Sequence, residues 1–264
     1  MILDLHFHPS FFWGKKFHIT EPFGIPSLDK IVYKASEKKI YILAITSCSD
    51  AFYRDKRWEN YTREFGNGDQ FLFYSTTRER NDVALCHGQE FKTDGPDVNV
   101  LFAEKIIPIK ASSKIHDKVD FEYLLNSARD SGKNVIIAIP AKSFWTREDR
   151  RNDLNEGKLR ELYEKGKFDC LESYDAMAPW IINKQSTKIA SNWDIPGIAV
   201  SDGHRLEDLG KSYIEIFDSD NLSDIANKIK EGEFIRHEYP LSLTSKGLYT
   251  MRLASSIANR KIKS

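Results

Sequence analysis

Ile2-Leu-Asp4-Leu-His6-Phe-His8 is the stretch on which the reading of this chain turns. An apolar lead-in followed by alternation predicts a strand, Ile2-Leu5, whose far end carries two imidazoles. Side chains two residues apart on a strand share a face, so Asp4, His6 and His8 are expected on one side and Leu5 and Phe7 on the other. Two histidines on one face can grip one metal ion. The same pair can also be half-buried strand polars. The apolar lead-in argues for partners, because imidazoles leaving a buried strand must be satisfied.

Working outward, short β-branched runs alternate with polar, helix-like segments along the whole chain, the pattern of an α/β protein. Further strands are expected at Ile40-Thr46, Gln70-Thr77, Val83-Phe91, Val98-Phe102, Asn134-Ile139, Phe168-Glu172, Gly197-Ser201 and Ser212-Phe217. Helices are expected near Ser27-Lys39, Asp120-Gly132, Gly157-Gly166, Pro179-Ala190 and Ser223-Gly232, with serine caps opening the first and last. There is no internal repeat and no Pro/Gly/Ser linker, which predicts a single domain. Residues 1–235 form its body. Residues 236–264, ending in Arg260-Lys-Ile-Lys, read as an appendage with a docked helix.

Two more strand ends carry acids: Gly88-Gln-Glu90, and Ile198-Ala-Val-Ser-Asp202-Gly-His204. Carboxyl ends of parallel strands are where ligands bind, so these groups are expected to converge with the histidines. Taken singly, Glu90 reads equally as a surface carboxylate and Asp202 as a helix cap.

Composition restricts the setting. The 264 residues are 41% hydrophobic and carry 39 basic against 39 acidic side chains. That describes a chain able to bury a large core, with no global field to hold a polyanion, so duplex nucleic acid is not expected as a partner. No apolar run reaches the ~20 residues that span a bilayer, so no membrane partner is expected. Three scattered cysteines, Cys48, Cys86 and Cys170, and no secretory signal predict a cytoplasmic protein.

Together these motifs resemble the PHP (polymerase and histidinol phosphatase) family. Asp4-Leu-His-Phe-His8, Leu43-Ala-Ile-Thr46, Gly88-Gln-Glu90, the strand ending in Glu172, and Ser201-Asp-Gly-His204 carry the resemblance, which covers residues 1–235. It implies a distorted seven-stranded (β/α) barrel, with a PHP-associated region running from the Ser201–Gly210 motif to Gly232. Its implied metal ligands are His6, His8, Glu90 and Asp202, with His204 as acid or base. Four positions depart from the family pattern: Ser47-Cys48 replaces Asp-His, Asn99 replaces a histidine, and Ile139 stands within Ala138-Ile-Pro140 where the family has Ala-His-Pro. One site survives these losses. The expectation is one tight divalent ion per chain, Zn, Mn or Fe(II). Cys48 can be a soft ligand or an inert buried thiol, Asp50 a surface carboxylate or a replacement ligand, and Asp4 a tautomer-fixing acceptor or a buried ion-pair partner.

Substrate signals lie in the loop after Pro140, where Lys142 and Arg147 can capture phosphate or belong to a solvated charge run. Phe11-Phe-Trp13 can wall the site or pack at the barrel mouth. His18, His87, His116 and His237 match no motif. The predicted function is metal-dependent hydrolysis of a phosphate ester, with a small phosphorylated molecule as partner. The alternatives are a catalytically impaired PHP-like binding protein, and another metallohydrolase barrel of the amidohydrolase or TatD-like kind.

Overall fold

A computed structural model of the protein describes residues 1–8, 28–47, 71–75, 82–103, 119–140, 156–219 and 221–247. Among the described residues ten strands form one sheet: β1 (Ile2–Phe7), β2 (Ile40–Ser47), β3 (Phe71–Ser75), β4 (Asp82–Phe91), β5 (Val98–Leu101), β6 (Ile136–Pro140), β7 (Cys170–Asp175), β8 (Gly197–Val200), β9 (Tyr213–Glu215) and β10 (Ile235–His237). Among the described residues five helices of nine residues or more accompany them: α1 (Leu28–Glu37), α2 (Phe121–Arg129), α3 (Glu156–Glu164), α4 (Trp180–Asn192) and α5 (Leu222–Glu231).

The strands run in the order β10-β9-β1-β2-β4-β5-β6-β7-β8, with β3 beside β4. The end of β1 meets the chain again just past β8. Phe7 bridges Gly203 in parallel, the Asp202 amide donates to the His6 carbonyl at 2.9 Å, and the His8 amide donates to the Gly203 carbonyl at 2.9 Å. Seven strands (β1, β2 and β4 to β8) therefore make a nearly closed ring. Those beyond the expected seven sit off it: β3 pairs antiparallel with β4, and β9 and β10 extend from the first residues of β1. The ring is distorted because β5 runs antiparallel to both neighbours. Residues 92–97 between β4 and β5 fold into a turn in which Thr93 Oγ1 accepts from the Gly95 amide and donates to the Pro96 carbonyl. So short a connection cannot make the crossover that a parallel neighbour needs.

Small and branched residues fill the interior: Leu3, Leu5, Ile42, Ala44, Ala84, Cys86, Ala138, Cys170, Ile198 and Val200 belong to one buried cluster. Two further clusters lie outside the ring. Phe7, Leu43, Ile45 and Leu85 pack on Ile31 and Val32 of α1, while Val100, Ile137, Ile139 and Leu171 pack on α2, α3 and α4. α2 buries Phe121, Leu124, Leu125 and Ala128, a helical stripe, behind an Asp120 side chain that accepts from the Tyr123 amide at 2.6 Å. The cap of α5 is Asn221, accepting from the Asp224 amide, in place of the expected serine at 223.

The expected alternation along β1 fails. Asp4 pairs with Leu43 and Phe7 with Ile45, three steps on β1 against two on β2, which is a β-bulge. Leu3 and Leu5 accordingly face inward and Phe7 outward. Asp4 is turned away from the histidines onto the segment after β8: Oδ1 accepts from the Ser201 amide at 3.3 Å, Oδ2 from the Gly210 amide at 2.7 Å.

β10 spans the expected boundary at residue 235. Beyond it the Leu241 amide donates to the Ala176 carbonyl and Ser245 Oγ donates to Asp208 at 2.8 Å. Residues 248–264 lie outside the described residues. Among the described residues no helix is long and apolar enough to cross a membrane.

Candidate metal centre

The bulge in β1 brings His6 inward at the carboxyl end of the ring, and His8 follows at the first position past the strand. The two Nε2 atoms stand 2.8 Å apart. Asp202 Oδ1, from the segment closing the ring, lies 3.3 Å from His6 Nε2 and 3.4 Å from His8 Nε2. Glu90, near the end of β4, places Oε2 3.5 Å from His8 Nε2. All four side chains are buried.

These separations suit a shared ion. Donors bound at ~2.05 Å around a tetrahedron stand about 3.3 Å apart. His6, His8 and Asp202 form a group whose ligand atoms all lie within 4.8 Å of one another. Two imidazoles with carboxylates suit Zn, Mn or Fe(II) chemically.

Local backbone explains how Asp202 reaches this point. Its φ is 43°, the left-handed region, which aspartate tolerates better than most residues and which turns the chain sharply out of β8. The next residue must be glycine, since a Cβ at Gly203 would meet Asp208 Cβ at 2.7 Å. No helix follows Asp202 directly, so it is a loop residue and not a helix cap.

Electrostatics favour ligand-ready histidines. Burial lowers the pKa of His8 to about 3, more than the nearby Glu90 carboxylate raises it, so the imidazole is neutral at physiological pH. The ring of His204 stacks on that of His8 with centroids 4.9 Å apart, and its Nδ1 lies 3.0 Å from the Asp202 carbonyl oxygen. A carbonyl only accepts, so Nδ1 of His204 carries a proton. Asp4 is pushed up to about 6 by burial, against the hydrogen bonds it accepts.

Sequence reasoning missed what stands behind His6. Its Nδ1 lies 3.0 Å from both carboxylate oxygens of Glu172, on β7. Asn99 Nδ2, on β5, donates to Glu172 Oε1 at 2.5 Å. Asp4, the residue considered for the tautomer-fixing role, instead holds backbone amides. The signal for Glu172 was an acid ending an apolar strand, the same signal that singled out Glu90. Ile139 packs outward on the helices and does not face the site. Cys86 and Cys170 are buried free thiols, both shifted upward by burial. His237 pairs with Glu215 at 2.9 Å and stacks on Tyr213, across the antiparallel β9–β10 pair. Cys48, Asp50, Lys142, Arg147, Phe11-Phe-Trp13, His18 and His116 fall outside the described residues, and so do the side chains of Ser47 and His87.

Residues 180–234, from α4 to the turn after α5, match the family described as PHP-associated. The chain carries a PHP-like domain. No curated protein matches the sequence. Among solved structures, PsfC from Pseudomonas syringae PB-5123 superposes with a TM-score of 0.62 at 13% identity, covering 99% of this chain and 98% of that one. The PHP-like domain thus shares its fold with that protein from end to end. A candidate metal-dependent phosphoesterase from Bifidobacterium adolescentis ATCC 15703 aligns at 14% identity and a TM-score of 0.47, over 76% of this chain and 86% of that one. Endonuclease Q, solved with a 27-mer duplex bearing an abasic lesion at the active site, aligns at 14% identity and a TM-score of 0.48, over 87% of this chain and 57% of that one. The expectation that duplex nucleic acid is no partner is withdrawn, because this structural neighbour holds a duplex. Zero net charge removes only the whole-molecule field; a local basic surface is enough to hold phosphates.

Proposed function

We propose that this PHP-like domain is a metal-dependent hydrolase of phosphate esters, with a small phosphomonoester as substrate. The observation that carries the reading is the convergence of His6 Nε2, His8 Nε2 and Asp202 Oδ1 at 2.8–3.4 Å, with Glu90 beside them. In this reading His6, His8, Glu90 and Asp202 hold one tight divalent ion. Such an ion polarises a phosphoryl oxygen and makes a water acidic near neutral pH.

The chain's own groups do the rest. His204, with Nδ1 held by the Asp202 carbonyl, offers Nε2 as the acceptor of a proton from the attacking water and then as the donor to the leaving oxygen. Its stacking on His8 keeps the His204 ring beside the ligand cluster. Burial of the cluster excludes bulk water and strengthens each charge interaction. Lys142 and Arg147 are proposed to bind the phosphate, following the sequence reading alone.

Hydrolysis of p-nitrophenyl phosphate by chelator-treated protein, before and after adding Mn(II), Zn(II) or Fe(II), tests the proposal. Turnover restored by metal supports it. Turnover indifferent to chelation, or absent with every metal, overturns it. A parallel assay on a duplex carrying an abasic site asks whether the ester is instead a nucleic-acid backbone. The second reading, a binding protein that holds a metal without hydrolysis, draws on Asn99, whose amide bonds Glu172 instead of serving as a histidine ligand would.

A further inference from the structure

His6 is engaged at both ends of its ring. Nε2 points at His8 and Asp202, and Nδ1 points at Glu172. Glu172 is engaged in turn by Asn99, and the three residues come from three separate strands, β1, β7 and β5. They are 0%, 2% and 0% exposed. A carboxylate so deeply buried needs donors, and two present themselves: the His6 ring N–H and the Asn99 amide.

The proton positions follow from the geometry. Asn99 Nδ2 lies 2.5 Å from Glu172 Oε1, and turning the amide over would set oxygen against oxygen at that distance. The nitrogen therefore faces Glu172, and Asn99 Oδ1 has no hydrogen-bond partner among the described residues. Asn99 Nδ2 is also 2.9 Å from His6 Nδ1, but two N–H donors cannot bond each other, so both are directed to the carboxylate. With its proton on Nδ1, His6 has a lone pair only on Nε2, the atom that faces the ligand cluster.

We infer that Glu172 and Asn99 are positioning residues that hold His6 in the Nδ1–H tautomer and aim Nε2 at the ion. Glu172 acts directly on the ring, and Asn99 acts through Glu172 by fixing the carboxylate. The inference rests on the metal-site reading given above. Partners that orient a metal-bound histidine typically set its affinity by about 10- to 100-fold. Because Asn99 works through Glu172, the two effects are not independent.

The test uses the full chain, Co(II) as the probe, and ring ¹⁵N NMR of the metal-free protein. Wild type is expected to show His6 protonated on Nδ1. E172A is expected to lose that signature and to bind Co(II) about 100-fold more weakly; N99A should bind about 10-fold more weakly. The double variant should match E172A, since removing Asn99 has nothing left to act through. Equal Co(II) affinity in wild type, E172A and N99A, or a double variant whose loss is the product of the two single losses, overturns the inference. Should E172A fail to fold, N99A and E172Q carry the test through the same two measurements: an unchanged tautomer signature and affinity in both overturns the inference. Failure of wild type to bind Co(II) overturns the metal-site reading, and the tautomer signature then judges the clamp on its own.

Discussion

His6, in β1, and His8, just past it, sit two residues apart and live in different halves of one site. His6 belongs to an inner half, walled by Glu172 and Asn99, where contacts are 2.5–3.0 Å and exposure is at most 2%. His8 belongs to a rim half with Glu90 and His204, where Nε2 stands 3.4–3.5 Å from the carboxylate oxygens of Asp202 and Glu90 and the imidazole stacks on another ring. Distances of the first kind are hydrogen bonds; those of the second suit atoms gathered around a common third. The inner half therefore sets a proton and an orientation, while the rim half is arranged for ligand and substrate. Burial keeps both from water, but only the inner half is tied across three strands.

The largest expected effect breaks the rim half. His204→Ala should lower turnover by roughly 100- to 10,000-fold while leaving metal content near one ion per chain. Kinetics paired with elemental analysis check it, and loss of the ion along with turnover would move His204 into the ligand set.

Removing His6 and His8 one at a time separates the halves by stability. His6→Ala strands the Glu172 carboxylate in the interior and should cost about 3 kcal/mol in the chelated protein, whereas His8→Ala should cost about 1 kcal/mol. Both should lose tight metal binding. Urea denaturation with and without metal measures the contrast, and equal costs would erase the distinction between the halves.

A smaller effect sharpens it from the side of β4. Gly88→Ala places a methyl group 2.8 Å from Thr46 Cγ2 and 3.1 Å from Leu101 Cδ2, an overpacking worth about 1–3 kcal/mol, two residues before Glu90. Weakened metal binding with the His6 tautomer unchanged is the expected result, and a shifted tautomer would show the halves to be mechanically coupled.

The last effect is in pH. His8 is lowered to about 3 by burial, so its contribution to stability is present above its unfolded pKa of 6.5 and is lost as pH falls toward 3. Asp4, raised to about 6 by burial, works in the opposite sense: its contribution is full below the unfolded value of 3.8 and is lost as pH rises through 6. Between about pH 4 and 6 the two offset each other. In the chelated protein Asp4→Asn should make stability rise more steeply with pH across that window, as unfolding midpoints at several pH values would show. An unchanged slope would remove Asp4 from the account.

Except for β10, which was not among the expected strands, the order of strands and helices was legible from the chain, because apolar runs of strand length alternate with segments of helical period. Gly88-Gln-Glu90 and Ser201-Asp-Gly-His204 could be picked out because acids and histidines are costly at the ends of buried strands and mark themselves by that cost. The inner half of the site was not legible. A one-residue bulge against β2 turns Asp4 from the histidines' face, and bulges depend on register with a partner strand, which local alternation does not encode.

What the sequence determined by itself is the α/β class, the strand positions and the residue types able to bind a metal, since each follows from patterning within a few residues. What only the tertiary structure decided is which of those residues meet: that β5 turns back and carries Asn99 to Glu172, that ring closure at Gly203 carries Asp202 to His6, and that Ile139 faces the helices. Contacts between residues 70 to 200 positions apart are set by strand pairing and ring closure, and no local stretch of the chain contains that information.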